Sequence, residues 1–311
     1  MGKNYMMIKT CLIPFLPVSL ILSGCGGATT GTPATTGTPA NFTSWASITH
    51  PSVVTASAVA YEGTYNYDTT TGNLTSVGAA STASSPEVSL TYNSSGTITA
   101  ASISTSSQTQ IYDEFQDANS SGTHFFAFKS SDDSDWALVA EPTNSALNWK
   151  YNSMAAWTDS DGSGSGKYGS ISAGSQTAGS GIPTSSSATF SGAGLGFHTD
   201  AANNVYVTRS AITANANFAT QQVTLSSNST VKQQFNAGAF ATAVTDSNLN
   251  FTGTLSHSPG TNDLSGTLTT TSGMSGPSQS VYYGPNSEEI GGVFNITGSS
   301  QTYVGAFGAK Q

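Results

Sequence analysis

The stretch Tyr282-Tyr-Gly-Pro-Asn-Ser-Glu-Glu-Ile-Gly-Gly-Val-Phe294, followed shortly by Tyr303-Val-Gly-Ala-Phe-Gly-Ala-Lys310, decides how this chain is read. Its aromatic and β-branched residues fall in short runs at 281–283, 292–296 and 303–307, which read as strands. Gly284-Pro285 starts a turn, and the Glu288/Glu289 pair caps the bend that follows it, a structural use of two carboxylates. Gly253, Gly266 and Gly305 interrupt their strands. Glycine inside a strand suits the sharp bends at the corners of a small barrel.

Working backwards, strands are expected at 249–255 and 264–268 around a Ser258-Pro-Gly-Thr-Asn-Asp263 turn, and at 188–195, 205–207 and 220–225. Further upstream, Val88-Ser-Leu-Thr-Tyr92 alternates with period two, and Asn93-Ser-Ser-Gly96 turns it toward a hairpin partner at 97–103. Runs at 125–128 and 136–140 flank an acidic loop, and 149–157 reads as one more strand. The segment 159–182 is Gly, Ser, Ala and Asp for the most part and reads as a long loop, the kind of connection that is often functional. In Ala58-Val-Ala-Tyr-Glu-Gly-Thr-Tyr-Asn-Tyr67, alternation puts Tyr61, Tyr65 and Tyr67 on one face. That row is either half of a sandwich core or a rigid aromatic anchor for a partner, and it supplies the candidate ligand-binding residues. No amphipathic helix is evident.

Composition agrees with an all-β body. Of 311 residues, 94 are Ser or Thr and 33 are Gly, while only 8% are charged, too few for a coiled coil. The 14 Phe, 12 Tyr and 4 Trp exclude wholesale disorder, because they can build a core. The net charge is −9, and Lys3 and Lys9 both precede Cys25, so the remainder is more acidic still. Such a field disfavours nucleic acid.

The first 24 residues carry a positive start, the apolar run Cys11-Leu-Ile-Pro-Phe-Leu-Pro-Val-Ser-Leu-Ile-Leu22 and small residues before Cys25. That is the pattern of a secretory signal, and the run is too short to span a membrane as a helix. Leu22-Ser-Gly-Cys25 resembles the bacterial lipobox, which implies a lipidated, palmitate-bearing Cys25 as the new first residue. Gly26 in place of Asp implies sorting to the outer membrane. With Cys11 removed and Cys25 acylated, the mature body holds neither a disulfide nor a thiol, which excludes cysteine nucleophiles and Cys-ligated metals. The repeat Ala28-Thr-Thr-Gly-Thr-Pro33 and Ala34-Thr-Thr-Gly-Thr-Pro39 reads as a flexible tether.

The C-terminal stretch closely resembles the end of the transferrin-binding protein B-like barrel, which carries a Gly-Pro, an acidic pair, a Gly-Gly and a final Phe-Gly-Ala-Lys in that order. The matching residues are Gly284, Pro285, Glu288, Glu289, Gly291, Gly292, Phe307 and Gly308, and Ile182-Pro-Thr-Ser-Ser-Ser-Ala-Thr-Phe-Ser-Gly192 is similar to the family's barrel start. The resemblance implies an all-β fold, with an N-terminal strand-rich handle domain followed by a C-terminal eight-stranded antiparallel β-barrel. The expected division is signal peptide 1–24, tether 25–44, handle 45–143 and barrel 144–311. Members are surface lipoproteins of Gram-negative bacteria that bind host transferrin, complement factor H, haemoglobin or haem. This chain is long enough for one lobe and lacks the charged loops typical of those proteins. The implied function is an outer-membrane, cell-surface lipoprotein that binds a protein or small solute in nutrient acquisition (iron, haem or another solute), together with an outer-membrane receptor. A structural or adhesive coat protein is the alternative that the Ser/Thr content suits.

Nothing in the sequence points to catalysis or a cofactor. His50, His124, His198 and His257 are widely spaced and form no metal-ligand motif; one surface histidine as a haem ligand is the alternative to the favoured reading, a solvated loop residue. Asp159, Asp161 and Ser163 occupy the first positions of a calcium loop, but Ser170 stands where its bidentate Glu belongs. Asp132, Asp133 and Asp135 are a second calcium-loop candidate, for which a solvated acidic turn is the favoured reading. Asp113 and Glu114 are adjacent on a strand and point to opposite faces, so they do not form an acid pair.

Overall fold

The computed structural model describes residues 44–106, 108–116, 125–131, 135–236 and 239–311. The signal segment 1–24, Cys25, the tether up to residue 43, His124, Asp132 and Asp133 lie outside the described residues.

Two antiparallel sheets account for the fold. The first contains β1 (Ser52–Tyr67), β2 (Leu74–Val77), β3 (Ser81–Thr82), β4 (Glu87–Tyr92), β5 (Ile98–Thr105), β6 (Gln108–Tyr112), β7 (Glu114–Gln116), β8 (Phe125–Lys129), β9 (Trp136–Ala140), β10 (Asn152–Ser160) and β11 (Ser165–Gly174). Its order is β6-β5-β4-β1-β11-β10-β9-β8-β7, with β2 and β3 pairing to β1. The 16-residue β1 is long enough to serve β4 along its first half and β11 along its second.

The second sheet contains β12 (Ser187–Thr199), β13 (Val205–Asn217), β14 (Gln222–Asn236), the short β15 (Ala239–Phe240) and β16 (Val244–Thr245), β17 (Phe251–Ser256), β18 (Leu264–Thr270), β19 (Ser275–Tyr283), β20 (Glu289–Gly298) and β21 (Gln301–Lys310). Pairing runs β13-β12-β21-β20-β19-β18-β17-β14, and β13 pairs back to β14. That return closes an eight-stranded barrel, which removes the exposed edges an open sheet would carry.

The division between the sheets falls between Gly174 and Ser187, not at 143/144. Strands β10 and β11 pair with β9 and β1, so they belong to the handle sheet. The expected loop at 159–182 is likewise corrected. Residues 161–164 form a turn and 175–182 a connection with a short 3-10 turn at Gly179–Gly181, but Ser165–Gly174 between them is a strand buried along most of its length. Its Gly and Ser residues replace the usual apolar alternation because both of its faces are crowded. A Cβ on Gly169 would stand 2.7 Å from the Trp157 ring, and Ser170 and Ser172 meet the barrel.

Three buried clusters follow from this layering. The barrel interior holds Phe190, Leu225, Phe251, Leu255, Phe294 and Phe307 among others, so it is packed. The curled handle sheet encloses a second core that includes Trp45, Leu90, Tyr112, Phe128 and Trp157. The third lies between them, where Tyr61, Leu138, Trp149, Met154 and Tyr168 of the handle meet Leu195, Phe197, Val293, Val304 and Ala306 on the barrel's outer face.

Candidate functional site

The C-terminal motif is the seam that docks the handle on the barrel. Glu289 is 2% exposed and opens β20. Its carboxylate accepts the backbone N–H groups of Lys150, Tyr151 (3.0 Å) and Asn152 (3.0 Å), just where the chain enters β10. Burial holds the carboxyl above its ordinary value, against the downward pull of those three donors and of Lys310. Glu288 works locally, accepting the backbone N–H of Asn286 at 2.8 Å within the turn. Gly284 adopts φ +88°, the left-handed conformation that the turn needs.

The motif's other glycines permit close approach. A Cβ on Gly291 would stand 2.6 Å from Ser172 Oγ, and one on Gly308 would stand 2.6 Å from the Asn152 side chain and 2.7 Å from the Trp149 ring. Hydroxyls then cross the seam. Ser170 Oγ donates to the Gly305 carbonyl (2.9 Å), Thr177 Oγ1 donates to the Gly284 carbonyl (2.6 Å), and Ser172 shares a 2.9 Å bond with the Tyr283 hydroxyl. Asn295 Nδ2 donates to the Ala80 carbonyl at 2.7 Å.

The tyrosine row does share one face of β1, but that face looks toward the seam. Tyr61 is buried in the interface cluster and Tyr65 packs partly against it. The Tyr65 hydroxyl donates to the Asp159 carbonyl (3.1 Å), and Tyr67 shares a 2.7 Å bond with Ser160. Tyr61 therefore presents nothing to a partner, because the core reading of alternation holds at that position. The former calcium-loop candidate is a hairpin turn: Asp161 Oδ2 accepts the Ser163 hydroxyl (2.7 Å) and Oδ1 accepts the N–H groups of Ser163 (2.8 Å) and Ser165 (3.0 Å), and these bonds, the hydroxyl's first, hold its carboxyl below the usual range. No group of three metal-ligating side chains occurs among the described residues.

A polar site emerges at the end of the barrel opposite the Glu289 turn. Alternation turns Gly192, Gly194, Gly196 and His198 of β12 inward, and pairing sets His198 beside Tyr206 of β13 and Tyr303 of β21. The imidazole is buried, stacks on Tyr206 (centroids 5.8 Å) and meets Tyr303 edge-on (6.2 Å). Its Nε2 lies 2.9 Å from Gln301 Oε1, which as an acceptor places the ring hydrogen on Nε2. Burial lowers its pKa, so the ring is neutral near pH 7. Across the mouth, Lys232 Nζ pairs with Asp246 Oδ2 (2.7 Å) and stands 4.8 Å from the Tyr206 ring centre. The Tyr206 hydroxyl donates to Asp200 Oδ2 (3.1 Å), whose carboxylate also takes N–H bonds from Ala202 and Asn204. His198, Asp200, Lys232, Asp246 and Gln301, with Asn248 and Ser272 on the rim, line a cleft of about 560 Å³. Sequence reasoning missed this site because it took His198 as a solvated histidine. The signal was present in the register of His198 with three alternate glycines, an inward-facing series.

The fold and seam define a class: a closed eight-stranded barrel locked to a curled strand-rich handle. Residues 182–311 match the family of C-lobe and N-lobe beta barrels of Tf-binding protein B. The barrel part of this chain is thus similar to the barrels of that family. No curated protein sequence matches the chain. Among solved structures, transferrin binding protein B from Haemophilus parasuis Hp5 is similar at 11% identity and TM-score 0.42, covering 84% of this chain and 76% of that one. Isotype 1 transferrin binding protein B from serogroup B Neisseria meningitidis is similar at 14% identity and TM-score 0.42, covering 74% and 52%. The N-lobe domain of lactoferrin binding protein B of Moraxella bovis is similar at 9% identity and TM-score 0.35, covering 82% and 99%.

Proposed function

We propose that this chain is a lipid-anchored binding protein of the outer-membrane surface, acting in nutrient acquisition without catalysis. Its lipid sits on Cys25, and it hands a captured protein or small solute to an outer-membrane receptor. The barrel match over residues 182–311 carries the reading, because that family's named members are transferrin-binding proteins. The Leu-Ser-Gly-Cys25 signature and the Thr-Pro repeat behind it supply the anchor and the spacer. The division of labour is a handle and barrel locked by Glu289 and the seam glycines, with recognition left to the loops, as is common when a rigid scaffold positions variable segments.

Two experiments test it. Cells fed a palmitate analogue are expected to label the wild-type chain and not Cys25→Ser, and external protease is expected to remove the labelled chain from intact cells. The full chain, displayed on cells, is then expected to pull down one stoichiometric protein or solute from the organism's natural medium. Unlabelled wild-type chain, or labelled chain protected from protease, overturns the surface anchor. An abundant surface chain that captures nothing overturns the binding role and favours the coat reading.

A further inference from the structure

We propose that His198 is an acid-sensitive latch on the barrel mouth: neutral, it holds the rim turns together, and on taking a second proton it lets them part. The proposal concerns the shape of the mouth and stands apart from the identity of any captured ligand.

Position makes the ring a tie between strands. His198 is the next-to-last residue of β12, and it pairs with Tyr206 on β13 and Tyr303 on β21. Gln301, which accepts the Nε2 hydrogen, opens β21 directly after the turn in which Ser299 and Ser300 hold φ +52° and +58°. The Tyr206 ring that stacks on the imidazole reaches Asp200, which organises the 200–204 turn. One neutral imidazole therefore joins the turn after β12 to the turn before β21. A second proton falls on Nδ1, a buried atom with no acceptor among the described residues, and makes the ring a cation. Lys232 on β14 meets the same Tyr206 ring and repels an imidazolium, while Asp246, paired to Lys232, and Asp200 attract one. Tyr206 and Tyr303 stay neutral, since burial raises both. Burial of His198 leads the balance, opposed by the Gln301 bond and the two carboxylates and reinforced by Lys232. The closed mouth thus binds the proton more weakly than an open one in which the ring reaches water. Closure is full above the ordinary histidine value, about 6.5, and is lost as pH falls below it toward the lower folded value. Opening stays local, because Ala201, Ala202, Ser299 and Ser300 are exposed and the bonds of Glu289 lie at the other end of the barrel.

The test follows amide hydrogen exchange of the full chain in detergent by mass spectrometry, corrected for the intrinsic pH dependence of exchange. It runs from pH about 7.5 to about 5, where ordinary carboxylates stay largely ionised. Protection at 197–206 and 299–304 is expected to fall about tenfold across that window, the equivalent of one pKa unit, while protection at 150–152 and 289–293 holds. His198→Phe keeps an aromatic ring that cannot take a proton, and its mouth is expected to show no pH dependence. Because a buried substitution also disturbs packing, two partly exposed charges are changed beside it. Lys232→Met removes a repulsion and is expected to move the midpoint of opening to higher pH. Asp246→Asn removes an attraction and is expected to move it lower. A packing role for His198 produces no such opposed pair of shifts. Mouth protection that stays constant across the window overturns the latch, as does the same loss in His198→Phe. Charge variants that move the midpoint in one direction or leave it in place overturn it too, and so does a simultaneous loss at 150–152, which would mark unfolding of the whole chain.

Discussion

At the scale of single residues, Glu289 carries the most testable chemistry. Glu289→Ala strips three buried N–H groups of their acceptor and leaves them without water. The expected cost is about 3 kcal/mol, read as a lower urea midpoint with an unchanged slope. Its pH behaviour has a definite sign. A carboxyl whose folded pKa lies above its unfolded value binds its proton more tightly in the folded state. Stability therefore falls as pH rises from the unfolded value, about 4.3, through the folded one, and is regained on acidification. Urea titrations across that window are expected to show this slope in the wild type and a shallower one in Glu289→Gln. The structural role of the acidic pair was legible in the sequence. Its partners were not, because backbone N–H groups at 150–152 leave no trace in residue identity. His198 shows the complementary difficulty: a lone histidine carries no spacing signal, and only the closure of the barrel reveals which way it faces.

Elements sort by how much of their own pattern they hold. Strand β4, with Val88, Leu90 and Tyr92 buried on one face, follows the alternation visible in the sequence, and β5 pairs with it as the expected hairpin. Strand β11 hides because its burial is met by small residues. Where two sheets approach closely, glycine and serine take the positions that Val and Ile would fill elsewhere, and hydropathy reads the result as loop. The handle boundary was misplaced for the same reason, since the strands that decide it are the least apolar. The close approach makes a steric prediction. Gly308→Val drives branched carbons into Asn152 and Trp149 and is expected to cost about 1–3 kcal/mol, seen as a lower melting temperature in calorimetry. Trp149→Ala empties the same contact and is expected to cost about 3–5 kcal/mol.

For the whole molecule, the interface cluster means that neither half is complete alone. Its handle side includes Trp149 and Tyr168, and its barrel side includes Phe197 and Val304, so separation would expose both. One heat-absorption peak is expected, with calorimetric and van't Hoff enthalpies equal across residues 44–311. Two resolved peaks would show that the halves unfold separately. The eight-stranded closure and the all-β class were legible from the motif and composition. The loop chemistry was not, because it depends on which turns gather at one end.

Glu289 and Gln301 sit at opposite ends of the β20–β21 hairpin, and this separation has an evolutionary consequence. Every lock between handle and barrel described above lies on the strand walls or at the Glu289 end, whereas the mouth is assembled from turns near residues 200, 246, 272 and 300. Lineages are free to rewrite those turns without renegotiating the joint that keeps the molecule whole.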